Sequence, residues 1–280
     1  IPLFLDPLWF LILGLATPNF GVSYQEFGRA QSWSIGIIMA LLLFGSVILH
    51  ELGHSLVAQK QGIKVNSLTL FLFGGIAAIE EESKTPGQAF QVAIAGPLVS
   101  IALFILLRLA SEAIPDNIAL HMMLGDLARI NLVLALFNLI PGLPLDGGQV
   151  LKAALWKVTG NRFQAVRMAA RAGQILGYAA IAFGFAIDYA TGQLVTGLWI
   201  ALLGWFGVRN ATTYLRVTQL QETLLKMVAS DAMTREFRVV DADKSLRSFA
   251  DEYLLANNQP QAYFADRDGR YQGMVCTDDL

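Results

Sequence analysis

Residues 34 to 59 read SIGIIMALLLFGSVILHELGHSLVAQ, an apolar run longer than a helical membrane span requires. A span needs about 20 mostly apolar residues. Comparable runs lie at about 87–109, 122–140, 172–190 and 192–209, and a shorter one, 2–17, contains Asp6 and Pro7. Inside hydrocarbon every backbone polar group must be paired within the protein, so a repeated series of such runs dictates helices. The chain is therefore expected to be a polytopic α-helical membrane protein with about six transmembrane helices. Only 15% of its 280 residues are charged, against about 25% in soluble domains. The deficit is uneven. Residues 1–215 are expected to form the membrane domain, and residues 216–280 a cytoplasmic linker and a small polar α/β domain.

Two stretches resist the helix reading. Residues 65–79, VNSLTLFLFGGIAAI, combine strand formers with the pair Gly74-Gly75, which suggests a small membrane-embedded β segment. Residues 138–148, NLIPGLPLDGG, hold too much proline and glycine to continue a helix. Irregular backbone at membrane depth survives only beside protein or a watery cavity, so both stretches are expected to line one.

Lysine and arginine collect in cytoplasmic loops. Lys60, Lys64 and Lys84 follow the second run, and Lys152, Lys157, Arg162, Arg167 and Arg171 follow the fourth. Those connections, the N-terminus and the C-terminal domain are expected in the cytoplasm, around a multi-pass protein of the cell membrane. A net charge of −2 argues against a nucleic-acid partner. The single cysteine, Cys276, excludes an internal disulfide. Ile1 is no initiator and Leu280 carries no stop signal, so the chain is expected to be an internal piece of a longer protein.

Ionisable groups are expensive in a bilayer, and a span that keeps them carries a functional-site hypothesis by default. His50, Glu51 and His54 sit in the second run as H-E-x-x-H. Four residues apart on a helix, the two imidazoles share one face and can hold one metal ion, with Glu51 beside them as a base. A catalytic zinc takes a third protein ligand and keeps one position open. Asp146, an acid in a glycine-rich turn at the same depth, is the best candidate; its bland reading is an N-cap for a following helix. Asn138 is either catalytic or a partner for backbone left open by Pro141. Asp126 and Arg129 are expected to pair with each other, and His121 to lie at the interface as a bystander.

HELGH in one span together with NLIPGLPLDGG at the end of another resembles the site-2 protease family of intramembrane zinc metalloproteases, within the bacterial and archaeal branch that carries CBS domains. The resemblance implies one Zn2+ per chain held by His50, His54 and Asp146, water activated by Glu51, and Asn138 engaging the substrate. It implies hydrolysis of a peptide bond within or near a transmembrane segment of membrane-anchored regulatory proteins. Residues 230–254 and 262–280 resemble one CBS repeat, with Cys276 where a threonine is usual and Asp279 keeping the aspartate. Such repeats pair, which implies an adenine nucleotide at a complete CBS pair and a homodimer through these domains. The alternatives are a silent metal-binding scaffold and a metal transporter. An intact Glu51 argues against the first, and the scarcity of further ligands in the spans against the second.

Overall fold

The computed structural model describes residues 2–71, 74–79, 83–232, 238–254 and 262–276. The chain divides into two compact units, residues 1–222 and 223–280.

The first unit runs β1 (Leu3–Leu5), α1 (Leu8–Val22), α2 (Arg29–Lys60), β2 (Val65–Phe71), β3 (Gly74–Ile79), α3 (Pro86–Ala113), α4 (Ile118–Asn138), α5 (Asp146–Thr159), α6 (Arg162–Thr191) and α7 (Leu194–Leu224). Among the described residues five helices, α2, α3, α4, α6 and α7, are long and apolar enough to cross a membrane. The expected sixth span does not form as such. Residues 2–17 split at Asp6-Pro7 into a short strand and the start of α1, which has 15 residues. At 1.5 Å per residue α1 is about 22 Å long, short of a core about 30 Å thick. Helix α7 runs unbroken past the expected boundary at residue 215, because RVTQLQETL contains neither glycine nor proline.

Helix ends follow local chemistry. Thr85 caps α3 by accepting from the Gln88 amide at 3.3 Å, with Pro86 at the first helical position, where a missing N–H costs nothing. Asn117 and Asn161 cap α4 and α6 in the same way. Gly160 and Gly192 end α5 and α6 in left-handed backbone. Asp126 and Arg129 form the expected ion pair, and buried Tyr24 donates to Asp126 at 2.7 Å. His121 Nδ1 lies 2.8 Å from the Ser111 carbonyl and so ties the start of α4 to the end of α3.

Lipid tails are as apolar as leucine, so helices in a bilayer associate through close packing of small residues. A Cβ placed on Gly184 would lie 2.5 Å from the Gly197 carbonyl, and one on Gly204 would lie 2.6 Å from that of Gly177. Helices α6 and α7 thus meet backbone to backbone at two levels. Outward-facing Leu41, Leu106 and Phe183 are correspondingly exposed.

The β segment is a three-stranded sheet in the order β1-β2-β3. β2 pairs antiparallel with β3 (Leu70↔Gly75, Leu68↔Ala77), and β1 lies parallel to β2 on its other side (Leu3↔Leu68, Leu5↔Leu70). Residues 72–73 of the expected hairpin lie outside the described residues.

The second unit contains α8 (Ala229–Ala232), β4 (Arg238–Asp241), α9 (Leu246–Phe249) and a hairpin of β5 (Ala262–Arg267) and β6 (Arg270–Cys276). β4 and β5 are parallel, β5 and β6 antiparallel. Val240, Phe249 and Tyr263 make its core, with Phe249 and Tyr263 edge to face at 4.9 Å. Asp268 and Gly269 both have positive φ, the two-residue turn that matches strand twist. Asp279 lies outside the described residues.

Candidate metal centre

Helix α2 carries His50 and His54 one turn apart, 3% and 8% exposed, and their Nε2 atoms lie 3.3 Å apart. The turn after α4 brings Asp146 to them. Its Oδ2 is 3.0 Å from His50 Nε2 and 3.2 Å from His54 Nε2. Asp146 is the first residue of α5 and Leu145 holds the N-cap position, so the carboxylate is not spent on capping.

The three donors fit a zinc ion. Zinc–nitrogen and zinc–oxygen bonds of about 2.0 to 2.2 Å in tetrahedral array put ligand atoms about 3.4 Å apart. The observed triangle has edges of 3.0, 3.2 and 3.3 Å. The outer ring nitrogens are already engaged. His54 Nδ1 lies 2.7 Å from the Val92 carbonyl, which can only accept, so that nitrogen carries the proton and Nε2 offers a lone pair. His50 Nδ1 lies 2.9 Å from Ser100 Oγ, and with the same tautomer it donates there. Three acceptor atoms at this separation make a site that suits a cation.

Helix α3 supplies the wall. A Cβ on Gly96 would lie 2.2 Å from His54 Nε2 and 2.6 Å from His50 Nε2. Gly96 keeps the centre open and Ser100, one turn on, orients His50. The sequence reading missed both, along with the Val92 carbonyl. The available signal was a glycine and a serine four apart in an otherwise apolar span. The turn that carries Asp146 is equally close-packed. A Cβ on Gly173 of α6 would lie 2.0 Å from the Leu143 carbonyl, and one on Gly148 would lie 2.2 Å from Leu143 N. The Leu143 amide also donates to the Ala169 carbonyl at 3.3 Å.

Of the residues singled out from sequence, His50, His54 and Asp146 come together. Glu51 follows His50 on α2 and is half-buried. Asn138 is the last residue of α4, half-buried, eight positions before Asp146.

Residues 38–118 and 110–183 match the family model described as Peptidase family M50. A Synechocystis relative carrying a zinc metalloprotease name is 44% identical over all of this chain and 75% of its own length. A Mycobacterium tuberculosis relative, also under a zinc metalloprotease name, is 36% identical over 96% of this chain and 68% of its own. The solved structure of the site-2 protease from Methanocaldococcus jannaschii superposes with a TM-score of 0.53 at 29% identity, over 76% of this chain and 90% of that one. A multi-pass membrane domain, two histidines and an aspartate converging at zinc-ligand spacing, and these relatives lead to one assignment: the chain belongs to peptidase family M50, the zinc metalloproteases of the site-2 protease group.

Proposed function

We propose that the chain hydrolyses a peptide bond within or near a transmembrane segment of membrane-anchored regulatory proteins, with His50, His54 and Asp146 holding one Zn2+ and Glu51 moving the proton. The observation that carries this reading is the His50–His54–Asp146 triangle, whose two histidines lie on a membrane helix that also presents a carboxylate next to His50. A bound zinc supplies Lewis acidity, bringing the pKa of a coordinated water to about 7 and polarising a carbonyl. Glu51 accepts the water proton as the new C–O bond forms, then passes it to the departing amide nitrogen as the C–N bond breaks. Ser100 and the Val92 carbonyl hold the imidazoles in the tautomer that leaves Nε2 free. Asn138, at the mouth of the turn, engages the substrate backbone.

A transmembrane helix hides its carbonyls in internal hydrogen bonds, so a substrate must open locally. Each polar group freed in hydrocarbon costs several kcal/mol unless it is paired again. The β sheet is the natural partner, through strand addition. β2 has neighbours on both sides, so a substrate strand would add at the outer edge of β1 or of β3.

The Lys and Arg asymmetry supports a metal centre and second unit facing the cytoplasm. The parallel-then-antiparallel order of β4, β5 and β6 supports the CBS reading of that unit, with a second repeat completing a pair. An adenine nucleotide between the repeats and a homodimer through them follow from that reading.

The deciding experiment uses Glu51→Gln in proteoliposomes with a single-span substrate. Stoichiometric zinc with abolished cleavage is expected. Undiminished cleavage overturns the role of Glu51, and loss of zinc makes Glu51 a ligand.

A further inference from the structure

A bound zinc would polarise the carbonyl from one side, and the triangle and Glu51 offer that oxygen no hydrogen-bond donor. When water adds to a peptide carbonyl, negative charge builds on the carbonyl oxygen, and preorganised donors aimed at it give the largest single contribution to many hydrolases. Helix α7, to which the sequence reading gave no role, carries such a donor. Gln149 lies three residues after Asp146 on α5, so it sits on nearly the same face one turn on. Its Nε2 donates to Tyr214 Oη at 3.4 Å, a long bond that places the phenol over the end of α5 bearing Asp146. Tyr214 also lies within electrostatic reach of the Asp146 carboxylate.

Depth agrees. Spans α2 and α7 run in the same direction, since α3 and α6 return across the membrane. His50 is 21 residues into α2 and Tyr214 is 20 residues into α7, so each lies about 30 Å from the outer end of its helix. The position is braced. Gln174 of α6 donates to Thr212 at 2.9 Å, two residues before Tyr214, and Gly173 beside it packs on the turn that carries Asp146. Tyr214 as a residue remains 37% exposed. Receiving a hydrogen bond from Gln149 at its oxygen leaves the phenolic O–H free to donate elsewhere.

We propose that Tyr214 is a further catalytic residue, its O–H donating to the scissile carbonyl oxygen as that oxygen becomes anionic. The inference rests on the hydrolytic reading above. The proton stays on Tyr214 throughout; the water proton goes to Glu51 and then to the leaving nitrogen. The hydrogen bond tightens in the transition state, so its loss should lower kcat and leave KM nearly alone.

The test compares wild type with Tyr214→Phe, and Glu51→Gln with the Glu51→Gln, Tyr214→Phe double variant, all as the full chain in proteoliposomes. In Tyr214→Phe, kcat should fall about 100-fold, the low end of what an oxyanion donor contributes, with KM changed by less than about 3-fold. Zinc content should match wild type, and the two Glu51→Gln backgrounds should bind a single-span substrate equally. A kcat within twofold of wild type overturns the proposal. So does lost zinc, which makes Tyr214 a brace, or substrate binding weakened as much as kcat, which makes it a ground-state contact. Undiminished cleavage by Glu51→Gln counts against the hydrolytic reading instead, and so separates the two failures.

Discussion

Replacing Gly96 by alanine should remove the metal while leaving the helix bundle in place. The new methyl carbon would stand 2.2 Å from His54 Nε2 and 2.6 Å from His50 Nε2. Ordinary contact begins near 3.4 Å, so the imidazoles must retreat by about 1 Å or α3 must move away from α2. Metal–ligand distances tolerate only about 0.2 Å. Neither histidine can retreat without giving up its anchor, the Val92 carbonyl or Ser100. Alanine is also the better helix former by about 1 kcal/mol, so the backbone has no reason to unfold. The assay is zinc per chain by elemental analysis after gel filtration, with thermal unfolding and cleavage measured on the same preparation. Gly45→Ala is the control, because Gly45 shares α2 and has nothing within 4 Å of its Cβ position. Zinc should fall from about one per chain to below about 0.1 in Gly96→Ala and stay at one in Gly45→Ala. Stoichiometric zinc and normal cleavage in Gly96→Ala would refute the claim that α3 sets the width of the centre.

Three further outcomes are expected. Ser100→Ala removes the partner of His50 Nδ1 and should weaken zinc affinity about 10- to 100-fold, read by competition with a chelator. Gly184→Leu forces α6 from α7, where a Cβ would already meet the Gly197 carbonyl at 2.5 Å, and should cost about 1 to 3 kcal/mol, seen as a lower unfolding temperature in detergent; Phe183→Leu, at a 60% exposed site, should be neutral. Replacing glycine or proline by leucine near the cleavage site of a substrate should slow its hydrolysis, because a firmer helix resists opening, and equal rates for stiffened and native substrates would remove local unwinding from the rate-limiting path.

The centre was legible because its residues are improbable where they stand. A histidine pair and a glutamate inside an apolar run, and an aspartate in a proline- and glycine-rich turn, have no cheap place in hydrocarbon unless they meet. Gly96 and Ser100 are inexpensive in any membrane helix, so nothing in their local sequence marks them; they become meaningful only when α3 lies against α2. The first run was misread for a related reason. Leu3–Leu5 is as apolar as a span, and what makes it a strand is pairing with Leu68–Leu70, a contact between residues 65 positions apart. That pairing also closes β2 on both sides, which leaves β1 and β3 as the edges of the sheet. In the second unit the Asp268-Gly269 turn was readable, whereas the edge-to-face contact of Phe249 with Tyr263 depends on how the chain returns.

His50 and His54 arrive together on one helix, but Asp146 lies 96 residues beyond His50. At about 5 to 20 residues per second, a ribosome inserts the two nitrogens about 5 to 20 s before the carboxylate that completes the triangle. During that interval the nascent chain offers a metal only a pair of imidazoles, and the wall built by α3 forms before the third donor exists. Durable metal capture therefore has to wait until α4 has crossed and its turn has docked on α6. A chain halted earlier in synthesis carries H-E-x-x-H in the bilayer without the third ligand of the proposed centre.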